Sequence, residues 1–181
     1  MTYVALFRGI NVGGKNIVKM AELRRMLSEL RFQNVKTYIQ SGNAIFNSDD
    51  TPDIVKKSIQ TAFQNTFKFE SAIVLQTKDD ICAVINLLPF SEDDIKTAVA
   101  ANSEVEHLYF YFIDDTFSDS VINALNSSYG GPDRLSAGPG GVYLLCHESV
   151  RDSKLAAALS KQNAAMTARN WKTLNKLFEM M

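Results

Sequence analysis

The sequence predicts an α+β protein: a ferredoxin-like βαββαβ first half, then a second, smaller α/β unit of similar order. Three observations predict it. Short apolar runs that read as strands alternate with stretches whose apolar residues recur at helical spacing. A tight turn, Gln40-Ser41-Gly42-Asn43, joins the second and third strands where a parallel βαβ series would need a helix. The 181 residues are 46% hydrophobic and 22% charged, enough to build a core without disulfides or metals.

The elements follow in order. Residues 3–7 form an apolar run that reads as a buried strand, and a Gly-rich loop over residues 8–16 leaves it. Met20, Leu23, Leu27 and Leu30 then mark one face of a helix, with Arg25 and Glu29 four residues apart on its outside. Residues 35–39 and 44–46 read as the second and third strands. Thr51 and Pro52 supply an N-cap and a first helical residue, and Val55, Ile59, Ala62 and Phe63 give that helix its apolar face. Residues 72–76 close the first half as a fourth strand.

Two helices link to the second half. Ile81, Val84, Ile85 and Leu88 mark the first, which Pro89 ends; Ser91 caps the second with an acidic first turn. Residues 108–113 are a strongly apolar strand. Val121, Ile122 and Leu125 mark a helix, residues 135–137 and 142–146 a hairpin, and Leu155 and Leu159 another helix. Thr167 reads as the N-cap of a final helix carrying Trp171, Leu174, Leu177 and Phe178, which places Arg169 and Asn170 in its first turn. The expected organisation is a ferredoxin-like domain over 1–78, a helical linker over 79–106 and a second α+β subdomain with C-terminal helices over 107–181.

Several classes are excluded by composition. The apolar and charged fractions are those of a folded chain, and two cysteines build no disulfide framework. No apolar run reaches membrane-spanning length, and residues 3–7 are too short for a signal-peptide core. A cytoplasmic protein without membrane association is expected. The net charge of −1 is unevenly spread: residues 1–48 carry +5, residues 49–150 carry −10 and residues 151–181 carry +4. Two basic ends would favour phosphate or carboxylate ligands if they met in space.

Topology sharpens this. In a split βαβ unit the first two strands run parallel, so the loop after the first and the turn after the second share one edge of the sheet. Arg8, Asn11, Gly13, Gly14 and Lys15 from the loop and Ser41 and Asn43 from the turn then form a candidate anion cradle, with Arg169 and Asn170 as its C-terminal contribution. Gly9, Gly14 and Lys15 almost spell a P-loop, with Asp114 at the end of an apolar strand as a Mg²⁺ ligand. Asn16 stands where that motif needs Ser or Thr, and the helix starts too late. His107 and His147 form no metal-ligand spacing, and Ser41 has no histidine assigned to it. No metal site, cofactor or catalytic constellation is called for, and a binding protein is expected rather than an enzyme.

Three strings carry a resemblance: residues 6–16 (LFRGINVGGKN), residues 37–43 (TYIQSGN) and residues 167–173 (TARNWKT). Together they resemble the bacterial family known as domain of unknown function 1697. The resemblance implies a two-part α+β fold with a ferredoxin-like first half, and it implies no activity. The family pattern has a second Thr where this chain has Ala168.

The leading expectation is a protein that binds a phosphate-bearing ligand, a nucleotide or nucleic acid. The alternatives are a Mg²⁺-dependent phosphoryl-transfer enzyme with a degenerate P-loop, using Lys15 and Asp114, and a structural or protein-interaction module.

Overall fold

A computed structural model describes residues 1–113, 118–162 and 166–181. The chain divides into two compact units, Met1–Ile81 with Lys176–Met181, and Cys82–Asn175.

The first unit contains β1 (Thr2–Phe7), α1 (Met20–Glu29), β2 (Gln33–Tyr38), β3 (Asn43–Asn47), α2 (Pro52–Phe67) and β4 (Ile73–Thr77). Its sheet has the order β2-β3-β1-β4, and every neighbouring pair is antiparallel. β1 and β2 therefore run parallel with β3 between them, the ferredoxin-like arrangement that the strand pattern predicts. Alternation along β1 sends Tyr3, Ala5 and Phe7 to one face, where they join Leu23, Met26 and Leu27 of α1 and Val55, Ile59 and Phe63 of α2 in one core. Phe7 stacks on Phe63 at 5.2 Å between centroids, and Phe32 on Phe46 at 4.5 Å. Val4, Leu6, Ile45 and Val74, on the opposite face, are buried as well. The sheet face that could stack nucleobases is therefore aliphatic and inaccessible.

Local signals behave as the chemistry requires. Pro52 opens α2, and Lys68 closes it in the left-handed conformation, its N–H donating to the Gln64 carbonyl at 3.0 Å. Arg25 and Glu29 pair across one turn of α1 at 3.6 Å.

The second unit repeats the order. After α3 (Lys78–Asn86) and α4 (Glu92–Ala101) come β5 (Leu108–Phe112), α5 (Asp119–Ser128), β6 (Arg134–Gly138), β7 (Gly141–Leu145), α6 (Lys154–Ser160) and β8 (Thr167–Asn170); α7 (Trp171–Met180) follows. The sheet order β6-β7-β5-β8 is the same permutation as in the first unit. This βαββαβ spans residues 108–170, against 2–77 in the first. Ser91 and Asp94 form the capping box that starts α4.

One expectation is corrected. Residues 167–170 are a strand and not the first turn of a helix. Arg169 lies opposite Phe110 in the β5–β8 register, and Thr167 opposite Phe112. Burial alternates along the strand, with Thr167 and Arg169 inside and Ala168 and Asn170 half-exposed. Asn170, rather than Thr167, caps α7: its Oδ1 accepts the Thr173 N–H at 2.9 Å. No helix among the described residues is long and apolar enough to cross a membrane.

Candidate functional site

The loop that leaves β1 is a small hairpin held by asparagines. Gly13 and Gly14 take φ of +58° and +72°, the conformation of a type I′ turn. The Lys15 N–H donates to the Val12 carbonyl at 3.1 Å, and Val12 and Lys15 pair as an antiparallel bridge. Below the tip, the Asn11 N–H donates to the Asn16 carbonyl at 3.1 Å, and Asn16 Nδ2 donates to the Gly9 carbonyl at 3.1 Å. Asn11 and Asn16 both sit at positive φ, which asparagine tolerates better than other side chains.

Asn11 also ties the loop to the β2–β3 turn. Its Nδ2 donates to the Val18 and Gln40 carbonyls, both at 2.9 Å, and its Oδ1 accepts the Val18 N–H at 2.8 Å. The turn is joined again where the Phe7 N–H donates to the Gly42 carbonyl at 2.8 Å. Gly42 has φ +78°, and a Cβ there would lie 2.8 Å from Ile10 Cδ1 and 2.9 Å from Phe7 Cβ. Loop and turn are thus neighbours at one end of the first unit, as the topology implies.

The predicted site residues separate into two kinds. Gly13, Gly14, Lys15 and Ser41 are exposed and Arg8 is half-buried, all at that end. Arg8 is anchored through its backbone, its N–H donating to the Ala72 carbonyl and Ser71 Oγ, and its carbonyl accepting from Ser71 Oγ at 2.8 Å. Asn11 and Asn43 instead hold the framework. Asn43 is fully buried, and its Nδ2 donates to the Tyr38 carbonyl and to Ser41 Oγ. Arg169 and Asn170 belong to the second unit. Arg169 is buried, donating to Thr167 Oγ1 at 2.9 Å and to the Ala168 carbonyl at 2.7 Å, and burial pulls its pKa down to about 10.

The first acidic residue of the chain is Glu22, and none occurs between residues 30 and 48. Among the described residues neither Arg8 nor Lys15 makes an ion pair. The first unit holds twelve basic and nine acidic residues, a balance of +3, and the second a balance of −4.

The loop does not have P-loop architecture. Its glycines form a hairpin tip, α1 starts four residues after Asn16, and the sheet is antiparallel throughout. Asp114, the metal ligand of that reading, lies outside the described residues. Among the described residues no three His, Cys, Asp or Glu side chains gather as metal ligands do. Sequence patterns gave no signal for three exposed apolar side chains beside the hairpin, Val12, Ile17 and Ile39, which are 65%, 62% and 50% exposed.

Comparison with known proteins agrees with this fold. A solved structure described as the conserved bacterial protein SP0830 from Streptococcus pneumoniae is similar to the chain, with a TM-score of 0.72 at 28% identity. The similarity covers 99% of this chain and 97% of that one. No curated protein matches. The model of the family described as protein of unknown function (DUF1697) matches residues 1–143. With that match over most of its length, and with both βαββαβ units in place, the chain belongs to the DUF1697 family.

Proposed function

We propose that the first unit binds a phosphate-bearing ligand, a nucleotide or nucleic acid, at the hairpin and turn that follow β1 and β2. What supports this reading is a pair of cations, Arg8 and Lys15, that make no ion pair among the described residues and lie at the base and tip of an exposed glycine turn. A guanidinium grips phosphate oxygens in a fork, and an ammonium adds a point charge. The asparagine staples fix the loop before binding, which lowers the ordering cost of association. The reading includes no chemical step. Arg169 is a buried residue of β8, and Asn170 caps α7.

The test is the affinity for a labelled single-stranded RNA as salt is raised. Two phosphate contacts predict a log–log slope of about −1.4, or roughly a sevenfold loss of affinity between 50 and 200 mM salt. The Arg8→Ala/Lys15→Ala variant should abolish that slope. A salt-independent affinity, or an unchanged slope in the variant, would refute the proposal.

A second reading, a protein-interaction surface, is favoured by the exposure of Val12, Ile17 and Ile39 around the same hairpin. Ile17→Ser separates the two: it should leave phosphate binding intact and weaken a protein contact.

A further inference from the structure

We propose that a cleft in the second unit is a binding site for a flat heterocycle without negative charge, of which a nucleoside is the readily tested member. The cleft has a volume of about 420 Å³, and its walls include Phe90, Asp94, Asn126, Tyr129, Asp133 and Arg134. That volume falls within the range of small-molecule sites.

Its walls are held before any ligand arrives. Asn126 and Leu135 exchange two hydrogen bonds, Nδ2 to the Leu135 carbonyl and the Leu135 N–H to Oδ1, both at 2.9 Å. Asp94 accepts the N–H and hydroxyl of Ser91 and a short charged hydrogen bond from Arg134. Asp133 is buried and accepts the Ser153 hydroxyl at 2.6 Å and the His147 N–H at 3.0 Å. Two aromatic residues, Phe90 and Tyr129, line the same cleft. Phe90 packs against the Ala98–Leu108–Leu145 cluster together with Trp171, and Tyr129 packs on the main core of the unit. The Arg134 guanidinium lies over the Phe90 ring, 5.8 Å from its centroid.

The chemistry selects the ligand. Aromatic and guanidinium faces favour a flat π-system. Asp94, Asp133 and Arg134 together leave a charge of −1, which disfavours a phosphate or carboxylate. Burial first, and then the neighbouring Asp133 carboxylate that the phenol hydrogen-bonds, raise the Tyr129 pKa.

Calorimetric titration with the four common ribonucleosides and their 5′-monophosphates tests this, with Trp171 fluorescence as a second readout. At least one nucleoside should bind saturably at millimolar concentration, and in the Arg8→Ala/Lys15→Ala background it should bind more tightly than its monophosphate. Tyr129→Leu and Arg134→Met should each weaken it by about tenfold. Arg134 is half-exposed, so its variant should keep the wild-type circular dichroism even if the Tyr129 variant does not. Absence of saturable binding by every nucleoside overturns the proposal, as does unchanged affinity in a folded Arg134→Met. A monophosphate whose binding is lost in Arg8→Ala/Lys15→Ala reports the hairpin of the first unit; a monophosphate that still binds more tightly than its nucleoside in that double variant overturns the proposal.

Discussion

Gly42→Ala tests how the loop and turn are locked together. Two penalties act at this position. A left-handed backbone costs an L-residue roughly 1–2 kcal/mol. The added methyl would also lie 2.8 Å from Ile10 Cδ1 and 2.9 Å from Phe7 Cβ. Ile10 and Phe7 are 2% and 1% exposed, so neither can swing into solvent, and overpacking of this kind costs about 1–3 kcal/mol. The sum is about 2–5 kcal/mol, or a fall in melting temperature of roughly 4–20 °C at this chain length. Gly13→Ala is the internal control: its φ is +58°, but nothing lies within 4 Å of its added methyl. It should cost about 1–2 kcal/mol, the backbone penalty alone. Urea unfolding of both variants measures the difference. A Gly42→Ala variant no less stable than Gly13→Ala would refute the packing account of the turn.

Three further predictions follow from individual contacts. Asn11→Ala removes three hydrogen bonds and should destabilise the chain by about 2–3 kcal/mol in urea unfolding, while weakening phosphate binding through loss of the loop's shape. Asn170→Ala removes the cap of α7 and should cost about 1 kcal/mol, whereas a first-turn helical role for that residue would predict almost no loss. Hydrogen bonds from Arg134, and then from Ser91, hold the Asp94 carboxyl at about 2, below the usual carboxylate range. Its stabilisation is therefore complete above about pH 4 and fades as pH falls toward 2, so the gap in urea midpoint between wild type and Asp94→Asn should narrow over that range. A gap that stays constant would count against the assigned partners.

Much of the architecture is legible in the residues themselves. Apolar alternation and helical spacing mark most elements, and the SGN turn excludes a parallel series. Once β1 and β2 are parallel, the meeting of loop and turn needs no further information. β8 was not legible because Thr-Ala-Arg-Asn has no apolar period, and its Thr mimics an N-cap. Pairing with the apolar β5, and not a period of its own, makes this segment a strand. The amides are ambiguous in a different way. Asn11 and Asn43 have the composition of ligand donors, yet their side chains hold backbone carbonyls. Which amide faces ligand and which faces chain depends on φ values and contacts that composition does not contain. The cleft of the second unit draws on residues scattered from 89 to 136, and no local pattern links them.

The most direct test of the phosphate-binding reading is amide NMR of the isotopically labelled chain titrated with pyrophosphate. The account predicts saturable shifts concentrated in residues 8–16 and 40–43, lost in Arg8→Ala/Lys15→Ala. Shifts centred elsewhere, or none at millimolar pyrophosphate, would contradict it.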